Sequence, residues 1–212
     1  MGGLEMGALP SADMPGHLML QEKIVYALDR CKETQDIDFK EAVRWDDLKW
    51  RIIKTALAMG NLRDGGIVII GVSQRSKKWT LTGVSDALLK TYDPDVIMSQ
   101  INAYVSPFVD LDIVSVRHRK RFIALYVREF RDTPLVCKKN GPNGSDLYEG
   151  AVYVRPPGLA QTTRIVNAAQ MHDLLELAAE KRARRILEVA QRLGLEQKPL
   201  SADAFNQELG DL

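Results

Sequence analysis

Apolar positions recur along this chain with two periods, and the switches between them mark its elements. Between residues 17 and 30, Leu18, Leu20, Ile24, Val25, Ala27 and Leu28 follow helical spacing and predict a helix with one docked apolar face. Residues 36–43, DIDFKEAV, alternate instead, with Ile37, Phe39 and Val43 set against charged neighbours as in a half-buried strand. A second helix is expected from Asp46 as N-cap, with Asp47 in the first turn and Trp45 and Trp50 spaced as a hydrophobic staple. Its stripe is Leu48, Ile52, Ile53, Ala56, Leu57 and Met59, and it ends at Gly60 and Asn61, residues that tolerate a left-handed C-terminal cap. The run IVIIGV, residues 67–72, is short and β-branched, which predicts a strand buried on both faces, and WTLTGV, residues 79–84, reads as its neighbour.

Further along, residues 93–108 fit a helix with Asp93 as N-cap and Pro94 at its first position, broken before Pro107. LDIVSVRH and RFIALYVREF alternate about a short basic connection, the pattern of a β-hairpin. KKNGPNGSD, residues 138–146, is a loop by composition, and AVYVRP, residues 151–156, is a last strand. A long helix over residues 167–193 carries Ala168, Met171, Leu174, Leu175, Ala178, Ile186 and Val189, and a short one follows from Ala202. Strands in runs with helices set between them give an α+β domain with a mixed sheet and packed helices, not a doubly wound fold. The expected organisation is a flexible tail at 1–16, a helix at 17–32, the α+β domain at 33–165 and a helical extension at 166–212.

Asn61, Gly65, Gly66 and Gly71 punctuate the passage from the second helix into the apolar strand, and are read as the turn that reverses the chain. A phosphate-cradling role fails on spacing. Gly66 and Gly71 are separated as in a Walker A loop, but Val72 and Ser73 follow where Lys and Ser or Thr are needed, so ATP is not expected.

Composition narrows the partners. With 212 residues and 45% hydrophobic content the chain suits one domain of ordinary size with an appendage. No apolar run is long enough to span a bilayer and the N-terminus has no leader pattern, which predicts a cytoplasmic protein without a membrane partner. Cys31 and Cys137 are far apart and three histidines are scattered, so neither disulfides nor zinc spacing is indicated. The net charge of +1 conceals two basic clusters, VRHRKRF at 116–122 and KRARR at 181–185.

The motifs ETQDIDFK at 33–40, AMGNLRDGGIVIIGV at 58–72, GV at 83–84, Pro107, Pro134 and YVR at 153–155, in this order, resemble the Schlafen AlbA-type domain family over roughly residues 33–160. That resemblance implies an α+β nucleic-acid-binding domain of bacterial regulators, some of whose relatives are metal-dependent ribonucleases acting on transfer or ribosomal RNA. In those nucleases two carboxylates precede the Phe-Lys pair and a third follows the Gly-Val that ends the glycine-rich strand. Glu33 and Asp38 match the first two and Lys40 the lysine, while Ser73 and Gln74 stand where the third carboxylate would be. Were the chain a nuclease, Glu33 and Asp38 would hold Mg²⁺ or Mn²⁺ and Lys40 would add positive charge beside the phosphate. Otherwise both are solvated charges at a strand entrance.

The basic hairpin is the stronger physical feature. Arg117, Arg119, Lys120 and Arg121, extended by Arg128, Lys138 and Lys139, are expected to grip DNA or RNA through phosphates and shape, with no cofactor, in a regulatory role. Arg155 is expected to pair with a carboxylate such as Glu149. The alternatives are a divalent-metal-dependent endoribonuclease on Glu33, Asp38 and Lys40, and an oligomerisation or adaptor module that dimerises through the C-terminal helix.

Overall fold

The computed structural model describes residues 16–76 and 78–195. In chain order its elements are α1 (Gly16–Arg30), β1 (Ile37–Lys40), α2 (Trp45–Gly60), β2 (Gly66–Ile70), β3 (Val72–Arg75), β4 (Lys78–Leu81), α3 (Asp86–Leu89) and α4 (Pro94–Asn102). They continue with β5 (Val105–Ser106), β6 (Leu111–His118), β7 (Lys120–Val127), β8 (Val136–Cys137), β9 (Tyr153–Val154), β10 (Thr163–Arg164) and α5 (Ala168–Arg192). The expected N-terminal tail, apart from Gly16 which opens α1, and the short helix from Ala202 lie outside the described residues. Among those described, no helix is long and apolar enough to cross a membrane.

The centre is a mixed four-stranded sheet in the order β1-β2-β7-β6, with β1 parallel to β2 and the other pairs antiparallel, so the fold is α+β. Side chains alternate across a strand, and both faces of this sheet are covered. Val68 and Ile70 join a core with Leu48, Ile52 and Ala56 of α2, while Ile67 and Ile69 join one with Ile24 and Leu28 of α1. That is why β2 is an unbroken apolar run with every residue buried. Each such side chain contributes about 1.5–3 kcal/mol by leaving water.

The same double coverage changes the reading of β1. Its alternation suggested a half-buried strand, yet Asp38 is only 5% exposed, because the chain leaving β9 brings Arg155 against it. The start of α2 also differs. Its N-cap is Arg44, which supplies no side-chain hydrogen bond, so Trp45 opens the helix and Asp46 and Asp47 lie within the first turn, where their charge still favours the helix dipole.

At the other end of α2, Asn61 caps the helix with φ −92°, outside the left-handed region. The left-handed residues come later, at Asp64 with φ 64° and Gly65 with φ 70°. A Cβ on Gly65 would stand 2.1 Å from the Val127 carbonyl oxygen, so no larger residue fits this approach to β7. Asn61 serves the fold with its side chain. Its Nδ2 donates to the carbonyls of Leu135 and Tyr153 at 2.8 and 3.0 Å, and its Oδ1 accepts from the Leu135 N–H at 2.7 Å.

Gly71, with φ 112°, breaks the expected single strand 67–72 into β2 and β3. The chain turns there into a β3-β4 hairpin, whose Trp79 and Leu81 pack with Phe39 on the α1 side of the sheet. The helix expected over 93–108 ends at Asn102, because Val105 and Ser106 pair with Cys137 and Val136. In α5 only part of the predicted stripe is covered: Leu174 is buried and Ala178 half-buried, whereas Met171, Leu175, Ile186 and Val189 are exposed.

Candidate nucleic-acid interface and the carboxylate cluster

Strand β1 positions the carboxylates. Asp38 and Lys40 lie two residues apart and share a face, and the Lys40 ammonium contacts Asp38 Oδ2. Asp38 Oδ1 meets Arg155 Nη1 at 3.1 Å, and the Arg155 side chain has no exposed surface. Arg155 also donates through Nη2 to the carbonyls of Thr34 and Ile37 at 3.1 and 3.4 Å, while Gln35 Nε2 donates to its carbonyl oxygen. The expected partner Glu149 is not used, because the chain from β9 runs past β1.

Glu33 sits half-buried beside this pair, and its Oε1 accepts the Phe39 N–H at 2.8 Å. Burial pushes the Glu33 carboxyl up from its usual range, against the pull of that N–H, and the nearby Asp38 charge pushes the same way. The structure brings Glu33, Asp38 and Lys40 together, and of the two carboxylates read as solvated charges at a strand entrance Asp38 is buried and Glu33 half-buried.

A divalent ion needs several hard oxygen donors at one point. Here each Asp38 oxygen already faces a cation, and Ser73 offers a hydroxyl in place of a carboxylate, buried without a hydrogen-bond partner among the described residues. Among the described residues no group of three or more His, Cys, Asp or Glu converges there either. The donor set does not fit Mg²⁺ or Mn²⁺.

The basic residues divide into two ends of one hairpin. In the β6-β7 register Arg117 stands opposite Arg121 and His118 opposite Lys120, with Arg119 at the tip in a left-handed conformation, φ 54°. Arg121 contacts Asp86 at the start of α3, and His118 Nε2 lies 3.0 Å from Asp29 of α1. The Lys120 ammonium donates to the Leu81 carbonyl at 2.9 Å. Arg117 and Arg119 are exposed and have no ion-pair partner among the described residues. Like charges facing one another across a ladder destabilise it, so the tip is built against its own electrostatics.

Arg128 is not part of that tip. Eight residues beyond Lys120, it lies about 26 Å away along β7 at 3.3 Å per residue, and it is taken up by Asp110 and Asp112. Lys139 stacks its ammonium over the Tyr104 ring at 4.4 Å, and Lys138 is exposed after β8. Of the second cluster, Lys181 pairs with Glu129, Arg184 with Glu180 and Arg185 with Asp132. Sequence reasoning missed the Asp38–Arg155 pair and the Asn61 clasp, since nothing local in the chain signals a contact across 117 or 92 residues.

The family described as Schlafen, AlbA_2 matches residues 33–160, more than half of the chain. No curated protein matches. Among solved structures, the DIP2311 protein from Corynebacterium diphtheriae is similar at 15% identity and a TM-score of 0.45, over 72% of this chain and 28% of that one. The N-terminal domain of a RecG-related protein from Nitrosomonas europaea is similar at 19% identity and a TM-score of 0.43, over 70% of this chain and 95% of that one. The chain thus spans less than a third of the length of the DIP2311 protein.

Proposed function

The chain belongs to the Schlafen AlbA_2 family, and from that premise we propose that it binds nucleic acid in a regulatory role, gripping phosphates with the tip of the β6-β7 hairpin. The observation that carries this reading is the charge arrangement at the tip. Arg117 faces Arg121, Arg119 sits at the turn between the strands, and among the described residues neither Arg117 nor Arg119 has a carboxylate to neutralise it. A polyanion laid across the tip supplies the missing countercharge, and each phosphate neutralised releases counterions. No base-reading pattern accompanies these residues, so binding is by phosphate contact and shape.

Fluorescence anisotropy with labelled duplex DNA and duplex RNA over a salt series tests this. The expected result is an affinity that falls steeply with salt, and an Arg117→Glu/Arg119→Glu variant whose log-log slope is smaller by about two. Equal affinity at low and high salt would contradict the reading. Incubating transfer RNA with the protein and Mn²⁺ is expected to leave it intact, since both oxygens of Asp38 are engaged by Arg155 and Lys40.

A further inference from the structure

A second hairpin tip repeats the pattern of the first. In the β3-β4 register Arg75 stands opposite Lys78, so another pair of cations meets across a ladder, beside Ser76 in a left-handed conformation at φ 48°. Arg75 and Lys78 are exposed, and neither has an ion-pair partner among the described residues. A like-charged pair directly opposite is destabilising, and this chain has it at both hairpin ends.

The root of the β3-β4 hairpin is joined to the tip end of the β6-β7 hairpin. Lys120 Nζ donates to the Leu81 carbonyl at 2.9 Å, and the Val84 N–H donates to the Arg121 carbonyl at 2.8 Å. A Cβ on Gly83 would stand 2.8 Å from Lys120 Cβ, so the backbone leaving β4 lies directly against the first residue of β7. The β3-β4 hairpin is also held along its length. Trp79 meets Phe39 edge to face with ring centroids 5.4 Å apart, and Leu81 packs into the same cluster, which leaves Lys78 and Thr80 directed to solvent. From Leu81 back to Lys78 is three residues, about 10 Å. That is about three steps of a duplex strand at 3.4 Å each.

We infer that Arg75 and Lys78 form a second phosphate-binding point, fixed relative to the β6-β7 tip through Lys120, so that one nucleic-acid backbone lies across both hairpins. The inference rests on the nucleic-acid reading above and extends it to a composite surface. Cations at a hairpin end also guard strands against edge pairing, but a guard has no part in counterion release.

The test compares wild type, Arg75→Glu/Lys78→Glu and Arg117→Glu/Arg119→Glu in the same salt series, with labelled duplex DNA and duplex RNA of one sequence. Arg75→Glu/Lys78→Glu is expected to weaken binding by about tenfold or more and to lower the slope by about two, at an unchanged melting temperature. Arg75→Gln/Lys78→Gln, which removes the contacts without adding repulsion, is expected to lower the slope equally. The duplex that shows the larger loss identifies the ligand. If wild type binds and Arg117→Glu/Arg119→Glu lowers the slope, while both Arg75/Lys78 variants keep wild-type affinity and slope, the second point is overturned and the first stands. Absence of binding by wild type overturns both.

Discussion

Arg155 and Arg119 are both cations at the end of a strand, and they live in opposite surroundings. Arg155 has no exposed side-chain surface and meets a carboxylate and two backbone carbonyls. Arg119 stands at a hairpin tip with Arg117 and Arg121 on either side and, among the described residues, no acid to pair with. A buried charge must be compensated within the fold, so its partners consume its capacity to act on a ligand. An exposed charge among like charges keeps that capacity. Asp38 and Arg155 thus hold each other inside the fold, whereas the proposed contacts with an external partner lie at the hairpin tips, where Arg117 and Arg119 stay exposed.

The contrast can be broken most forcefully at Arg155. Arg155→Ala leaves Asp38 buried with Lys40 alone and is expected to cost about 3–5 kcal/mol in urea unfolding. The double change Asp38→Asn/Arg155→Met removes both charges and is expected to recover most of that loss; no recovery would mean that packing, not charge, made Arg155 necessary. Next comes Asn61→Ala, which leaves a Leu135 N–H and two carbonyls unpaired in the interior and is expected to cost about 1–3 kcal/mol by the same measurement.

Glu33 gives a smaller effect with a defined sign. Burial raises its carboxyl in the folded state, so folding favours the protonated form and stability declines as pH rises from the usual carboxylate range through the raised value. Melting temperatures of Glu33→Gln are therefore expected to gain on wild type between pH ~4 and pH ~7. At the tips the stability effect is smallest: Arg117→Glu/Arg119→Glu is expected to stay within about 0.5 kcal/mol of wild type while binding collapses. A large loss of stability there would erase the contrast between the two regions.

The sequence displayed the elements whose periodicity is strong. The α2 stripe, the β2 run, the Asp93 cap of α4 and the β6-β7 hairpin all follow from local spacing, and with the order of motifs they were enough to identify the α+β class and the family. What stayed hidden was set by tertiary contact. Asp38 looks like the polar half of an alternating strand until Arg155 arrives from 117 residues away. The break at Gly71 hides in an apolar run because β-branched residues continue across it, and the two-residue strands β5, β8 and β10 are too short to show any period. In α5, helical spacing is uniform along the stripe, yet contact with the core ends near Lys181, and no periodicity can show where a helix outruns its support.

The Asp38–Arg155 pair also has a consequence in time. A ribosome adds about 5–20 residues per second, so Asp38 is made roughly 6–23 s before Arg155. During that interval β1 holds a carboxylate whose buried partner does not yet exist, and docking it on β2 leaves Asp38 with Lys40 as its one cation. Lasting closure of the sheet edge therefore waits for the residues around 155, and nascent chains stalled short of them should expose β1 and its apolar face to chaperones.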